Sequence, residues 1–277
     1  MRWGRLWPLL AGLALPATAV AQALPQWREP VTGVVLVQLP AGCFEQGEAQ
    51  PGPTGAGMPI QLPRADEVPV RRVCLDSFWL GKTEVTKAQW AAVLNSAGMD
   101  RALDPNRPQA DVSWDEAQQW VAALNRRVSD PGTQFRLPSE AQWEYACQAG
   151  QKQPAQQRYG QDRLEWTEAV AREAWFSYPN VRDPFALEVG GKLPNAWGLH
   201  DMLGNVWEWV EDRYATDAYR HPSPAATASG GGGSRVIRGG SYKSDVAQVR
   251  CGVRNFYPAS DRSLVIGVRL IMQRSDK

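Results

Sequence analysis

An α+β domain with few helices, short strands and much ordered loop is the fold class this sequence predicts, on three observations. Three helix starts with reciprocal caps lie between residues 86 and 149. Short β-branched or aromatic apolar runs flank that stretch on both sides. Beyond residue 150 the long periodicities give way to brief aromatic-rich pieces alternating with turn residues.

At the N-terminus, Arg2 and Arg5 precede an apolar stretch from Leu6 to Leu15, and small residues end at Ala19-Val20-Ala21. This is the layout of a secretory signal peptide over residues 1–21, with cleavage after Ala21 or Ala23. The apolar stretch is too short to span about 30 Å of hydrocarbon and contains Pro8 and Pro16. Removing residues 1–21 takes the formal charge from +1 to −1. That balance gives no electrostatic reason to expect nucleic acid or an anionic membrane as partner. No later stretch reaches transmembrane length, so the expected location is the periplasm or the cell exterior, with no membrane span after cleavage. The remaining chain is long enough to bury a sizeable core in one domain.

Val34 to Leu39 and Val73 to Leu80 read as strands, and residues 48–69 between them, rich in Pro, Gly and Ala, as a surface loop. The capping pairs Thr86 with Gln89, Ser113 with Glu116 and Ser139 with Gln142 start helices over Lys87–Asn95, Trp114–Val128 and Glu140–Ala149. On the second helix Ala117, Trp120, Val121 and Leu124 recur at helical spacing and are expected to face the core. Residues 222–234, with Gly230 to Gly233, read as a loop, and Val265 to Met272 as a closing strand.

Four cysteines follow the leader, Cys43, Cys74, Cys147 and Cys251, an even number that favours disulfides in an oxidising compartment. If the strands around Cys43 and Cys74 pair, a bridge there closes the 48–69 loop and stabilises by about 3 kcal/mol, chiefly through the unfolded state. It is the preferred pairing. The spacings do not resemble a zinc site, and only His200 and His221 could add imidazole.

Several of the thirteen tryptophans lie in dense motifs. They include LGKTEVTKAQW (Leu80–Trp90), DVSWDEAQQW (Asp111–Trp120), RLPSEAQWEYA (Arg136–Ala146), PNAWGLHDMLGNVWEWVED (Pro194–Asp212), VIRGGSY (Val236–Tyr242) and VRCGVRNFYPASDRSLVIGVRL (Val249–Leu270). In content and order these resemble the sulfatase-modifying-factor, or formylglycine-generating-enzyme-like, family over residues 33–271. The resemblance implies a single domain of the C-type-lectin-like fold, often bound to calcium. Carried onto DMLGNVWEW, the family pattern places calcium ligands at the side chains of Asp201 and Glu208 and the carbonyls of Gly204 and Val206. Hard cations take such oxygens. The reading from the residues alone has Asp201 and Glu208 hydrogen-bonding loop amides instead. The family's second calcium segment is shortened here to Asn180–Val189.

The resemblance also shows a departure. The formylglycine-generating enzyme places two cysteines after GGSY to hold copper. Here that stretch reads GGSYKSDVAQVRCGVR, with Ser244 at the first cysteine position and no cysteine at the second. A hydroxyl is no soft ligand for Cu(I), so no copper and no formylglycine generation are expected. Cys147 and Cys251 match structural half-cystines of the founding enzyme whose partners are missing here. They either pair with each other or stay as buried thiols. No strand-turn-helix elbow surrounds Ser241 or Ser244, so a serine hydrolase is disfavoured against a tight turn. No catalytic residue is assigned.

Two functions follow from the resemblance. The first is a periplasmic accessory that binds a protein, similar to exported relatives that regulate the threonine-phosphorylation arm of type VI secretion by engaging the outer portion of a membrane Ser/Thr kinase. The alternative is a periplasmic oxidative tailoring enzyme, similar to the relative required for pyoverdine chromophore maturation. In that case Trp207, Ser241 and Ser244 form an exposed groove for a small peptide substrate.

Overall fold

Antiparallel pairing around a short, wholly apolar central strand organises the first half of the molecule. The computed structural model describes residues 23–49, 64–94, 104–151, 163–177, 185–221 and 233–274. Strand β5 (Phe78–Gly81) is the centre of a five-stranded sheet. Its order is β1 (Gln26–Arg28), β2 (Val35–Leu39), β5, β11 (Ile271–Arg274) and β6 (Thr133–Arg136). Val37 faces Leu80, and Ile271 faces Leu80 from the other side. A four-stranded sheet has the order β10 (Ile266–Val268), β7 (Trp207–Arg213), β8 (Ser234–Arg238) and β9 (Arg254–Pro258), with β10 parallel to β7. Only Arg269 and Leu270 separate β10 in one sheet from β11 in the other. The chain's last turn therefore joins the two sheets.

Strands β3 (Gly42–Gln46) and β4 (Arg71–Leu75) form a separate hairpin-like pair with Cys43 directly opposite Cys74, and the two are disulfide-bonded. The segment expected as one strand over Val73–Leu80 is thus two, because Asp76 and Ser77 interrupt it and the halves pair with different partners. The closing strand over Val265–Met272 divides likewise at Arg269-Leu270. A second disulfide joins Cys147 to Cys251, and no cysteine is free. Among the two alternatives left open by the residues, the pairing is the one found.

The capped helices form where expected. They are α1 (Lys87–Leu94), α2 (Trp114–Asn125) and α3 (Glu140–Gln148), and reciprocal capping boxes close the N-termini of α2 and α3. Thr86 and Gln89 exchange the same pair of hydrogen bonds before α1. Helix α2 ends at Asn125, short of Val128, because the Asn125 side chain turns to bond both the N–H and the C=O of Phe135 on β6. A fourth helix, α4 (Arg163–Val170), was not anticipated, although Asp162 followed three residues later by Glu165 is a start signal in the sequence.

Two apolar clusters result. Helix α2 sets Ala117, Trp120, Val121 and Leu124 against Leu36, Phe135, Trp209 and Val268. Helix α3 sets Trp143 and Cys147 against Leu39, Phe78, Trp166 and Val210. Several buried indoles find acceptors, the usual state of a buried donor. Trp120 donates to the carbonyl of Trp90, on whose ring it stacks at 4.8 Å, and Trp209 donates to the carbonyl of Val112. The expected leader lies outside the described residues, as do residues 50–63 and 222–232 of the two expected loops. No helix among the described residues is long and apolar enough to cross a membrane.

The Cys147–Cys251 bridge spans 104 residues of sequence, a loop for which the chain-entropy model gives roughly 4.7 kcal/mol. Replacing both cysteines by serine is expected to lower the unfolding free energy by about 3–5 kcal/mol in urea denaturation. A loss under about 1 kcal/mol would show that the bridge adds little to the packing of α3.

Candidate functional site

The PNAWGLHDMLGNVWEW segment is a heavily braced loop, and its own side chains supply much of the bracing. Asn195 accepts from the backbone N–H groups of Trp197 and Leu199 and donates to the carbonyl of Ala146, tying the loop to α3. Asp201 and Asn205 adopt positive φ (53° and 54°), as does Gly204 (79°). Asn and Asp tolerate this region better than most residues. At Gly204 a Cβ would lie 2.0 Å from the carbonyl oxygen of Trp175, so only glycine fits. The Asn205 amide accepts from Leu187 N–H and donates to Leu187 C=O and to Glu84 Oε2.

Beyond this loop, Glu208 on β7 is fully buried. Its Oε1 accepts from Arg269 Nε at 2.9 Å and Nη2 at 2.7 Å. Its Oε2 accepts from Arg269 Nε at 2.9 Å and Trp143 Nε1 at 2.7 Å. A carboxylate offers roughly four lone-pair directions, and three N–H donors point at them, the Arg269 Nε–H shared between both oxygens. The remaining Arg269 donors reach the carbonyls of Gly81 and His200. Burial pulls the Arg269 pKa down, but Glu208 more than reverses this and holds it above the usual value.

Asp201 and Glu84 differ from Glu208. Asp201 Oδ2 accepts from Gly190 N–H at 2.6 Å, while Oδ1 has no partner; Glu84 Oε1 has none either. Burial, then the charge of Asp201, raises the Glu84 carboxyl well above its ordinary range, and burial raises Asp201 too. Of the four expected calcium positions, Asp201 therefore presents an oxygen without a hydrogen-bond partner, whereas both Glu208 oxygens accept from Arg269 or Trp143. Gly204 and Val206 lie on the same loop, Val206 fully buried. Sequence reasoning passed over Glu84. Its signal was a charged residue immediately before Val85, a core position, inside a motif already singled out.

The expected groove does not form from its named residues. Trp207, Ser241 and Ser244 are all buried. Ser244 Oγ accepts from Ser241 N–H and lies 3.3 Å from Ser241 Oγ, closing the turn after β8. The His200 ring bonds the carbonyl of Lys192 rather than a serine.

Comparison with known proteins places this geometry among relatives. The family model described as the sulfatase-modifying factor enzyme 1-like domain matches residues 21–274. The formylglycine-generating enzyme of Streptomyces coelicolor is 27% identical over 83% of this chain and 85% of its own. The serine/threonine-protein kinase pkn1 of Chlamydia pneumoniae is 29% identical over 69% of this chain, but over only 32% of the kinase. The structure of PvdO from Pseudomonas aeruginosa superposes with a TM-score of 0.72 at 24% identity, covering 92% of this chain and 100% of PvdO.

Arg269→Met leaves the Glu208 charge buried without its partner, a change that costs about 3–5 kcal/mol where a buried pair is broken. Chemical denaturation is expected to show a loss of that size, and Arg269→Met combined with Glu208→Leu is expected to recover part of it. If the single variant unfolds within about 1 kcal/mol of the parent, the pair is not the joint between the sheets.

Proposed function

The chain belongs to the sulfatase-modifying factor enzyme 1-like domain family, and on that premise we propose that it is an exported member that binds a protein partner and does not generate formylglycine. The observation that carries the reading is the state of its cysteines. All four are joined in two disulfides, which leaves no thiolate for a soft metal such as Cu(I). Where the resemblance sets the first copper cysteine, Ser244 spends its hydroxyl on the turn that holds Ser241. Two stable disulfides also support export, since such bridges persist in oxidising compartments.

The partner we favour is the outer portion of a membrane Ser/Thr kinase in the threonine-phosphorylation control of type VI secretion. The Chlamydia pneumoniae relative supports it, because there a related stretch accounts for about a third of a chain named as a serine/threonine-protein kinase. A formal charge near zero supports a protein partner over nucleic acid.

Affinity purification of the tagged chain from periplasm is expected to recover that kinase portion. Recovery of no protein partner, together with turnover of a siderophore-precursor peptide, would sink the reading in favour of oxidative tailoring. In a separate assay, copper-loaded protein is expected to leave a sulfatase-motif peptide unmodified; any formylglycine product overturns the non-catalytic assignment.

A further inference from the structure

We propose that the Cys43–Cys74 disulfide is an exchangeable redox site, opened by a dithiol protein of the oxidoreductase class, and that its opening releases strand β4 while Cys147–Cys251 stays closed. The two bridges differ in what surrounds them. Cys43 and Cys74 are both exposed, whereas Cys147 is 2% exposed inside the apolar cluster around α3, and Cys251 packs partly buried against that cluster. Exchange needs a thiolate to reach a bridge sulfur, so exposed bridges are the labile ones and buried bridges are protected.

The strands themselves put the first bridge outside. Side chains alternate along β3, with Cys43 and Glu45 exposed and Phe44 and Gln46 buried. On β4, Arg72 and Cys74 are exposed, while Val73 and Leu75 pack against the core. Cys43 faces Cys74 and Glu45 faces Arg72 across the ladder. Arg72 is therefore two residues from Cys74 and diagonal to Cys43, a spacing that long side chains can cross. A guanidinium beside the bridge favours the thiolate that exchange releases.

β3 and β4 form a two-stranded sheet of their own, an arrangement that is marginal without further support. Helix α3 gives that support to β3. Phe44 meets Tyr145 at 5.4 Å, Gln148 Nε2 donates to the carbonyl of Glu45, and Gly47 N–H donates to Glu144 Oε1. β4 is held by its ladder to β3, by the bond from Arg71 to the Gln46 side chain, and by Val73 and Leu75. Severing the cross-link therefore loosens β4 before β3. The loosened stretch is bounded by buried Glu67, whose carboxylate accepts from Arg250, and by β5 in the five-stranded sheet.

An oxidising compartment keeps the bridge closed until a reduced dithiol meets it. A thiolate of the partner attacks one bridge sulfur and the S–S bond breaks. A mixed disulfide forms, and the other cysteine leaves as a thiolate beside Arg72. The partner's second thiolate then attacks the partner's own sulfur in the mixed disulfide, closes the partner's disulfide and frees the remaining cysteine. Two electrons pass from partner to chain, and the two protons of the partner's thiols end on Cys43 and Cys74.

The test uses the folded, full-length mature protein with reduced thioredoxin as the probe dithiol, free thiols being trapped by iodoacetamide and mapped by mass spectrometry. Cys43 and Cys74 are expected to be trapped about tenfold faster, or more, than Cys147 and Cys251, and oxidised dithiothreitol is expected to restore the bridge. Arg72→Gln is expected to slow the reduction about threefold and Arg72→Lys to retain its rate. Trypsin is expected to cut after Arg71 or Arg72 about tenfold faster in the reduced form, because β4 is then free to leave the ladder. Opening of both bridges at one rate, or of neither without denaturant, overturns the proposal. Equal trypsin cutting in the two redox states overturns the release of β4, and an unaltered rate in Arg72→Gln overturns the part given to Arg72.

Discussion

The Arg269 guanidinium is the point through which the two sheets are held to each other. It stands between β10 and β11, at the two-residue crossing from the four-stranded sheet to the five-stranded one. From there it reaches Glu208 on β7, the carbonyl of Gly81 at the end of β5 and the carbonyl of His200 in the braced loop. Two stretches far from it in sequence, the end of β5 at Gly81 and the segment from His200 to Glu208, thus share one side chain. A buried pair of this kind adds little net stability compared with a well-packed apolar alternative, but it tolerates few alternative arrangements, because each displaced donor would leave a charge unpaired in the core. Its contribution here is to specificity of assembly: β10 and β11 must lie in their own sheets for all three nitrogens of the fork to find their acceptors.

The same device recurs at the other side of α3. Arg238 and Arg254, both fully buried, converge on Glu140, and Arg238 also bonds Glu144. Burial pushes the Glu140 carboxyl up, but the two guanidiniums overcome it and hold the group below its usual range; Glu144 is left above its usual range. Helix α3 is consequently anchored through its polar first turn as well as its apolar face. These networks explain how a fold with so few helices and such short strands keeps long stretches of loop in place. Backbone groups that regular structure would pair are met by side chains instead, by Asn195 and Asn205 in one loop, by Arg254 at the carbonyls of Asp66 and Ala215 in another.

Local chemistry made the helices and disulfides legible in the sequence, and long-range chemistry stayed hidden. Capping boxes act within four residues, so α1, α2 and α3 could be placed from Thr86, Ser113 and Ser139. The Cys43–Cys74 bridge was expected on the condition that the strands around the two cysteines pair, and β3 and β4 do. What escaped were the breaks within Val73–Leu80 and Val265–Met272. An apolar run gives no sign of where it changes partners, and in both cases the break is set by a different sheet claiming the second half. At the candidate site, Asp201 and Glu208 were named from the resemblance and do lie on one braced loop and the strand that leaves it. Their inequality was invisible, because it depends on Arg269 and Trp143, which arrive 61 and 65 residues away in sequence. Glu84 was missed for the same reason: nothing within its own motif shows that Asp201 will face it.

The cysteines and the serine pair are committed to the fold itself. A copper site needs thiolates held free of other bonds, an arrangement that stabilises nothing until metal binds. Here Cys251 lies only a few residues beyond the GGSY turn, and its sulfur is committed to Cys147 on α3. The turn itself is closed by the Ser241 and Ser244 hydroxyls. Both groups have become part of what holds the closing strands in register. Restoring a soft-metal site would therefore require more than replacing Ser244 by cysteine, because the new thiol would give up a buried hydroxyl contact with Ser241 and would still lack a second thiolate, the nearest being locked across the core. The Cys147–Cys251 disulfide and the serine turn thus belong to the same packed arrangement as the closing strands. Whatever binds this protein meets a surface carried by loops whose positions are already set by the buried arginines beneath them.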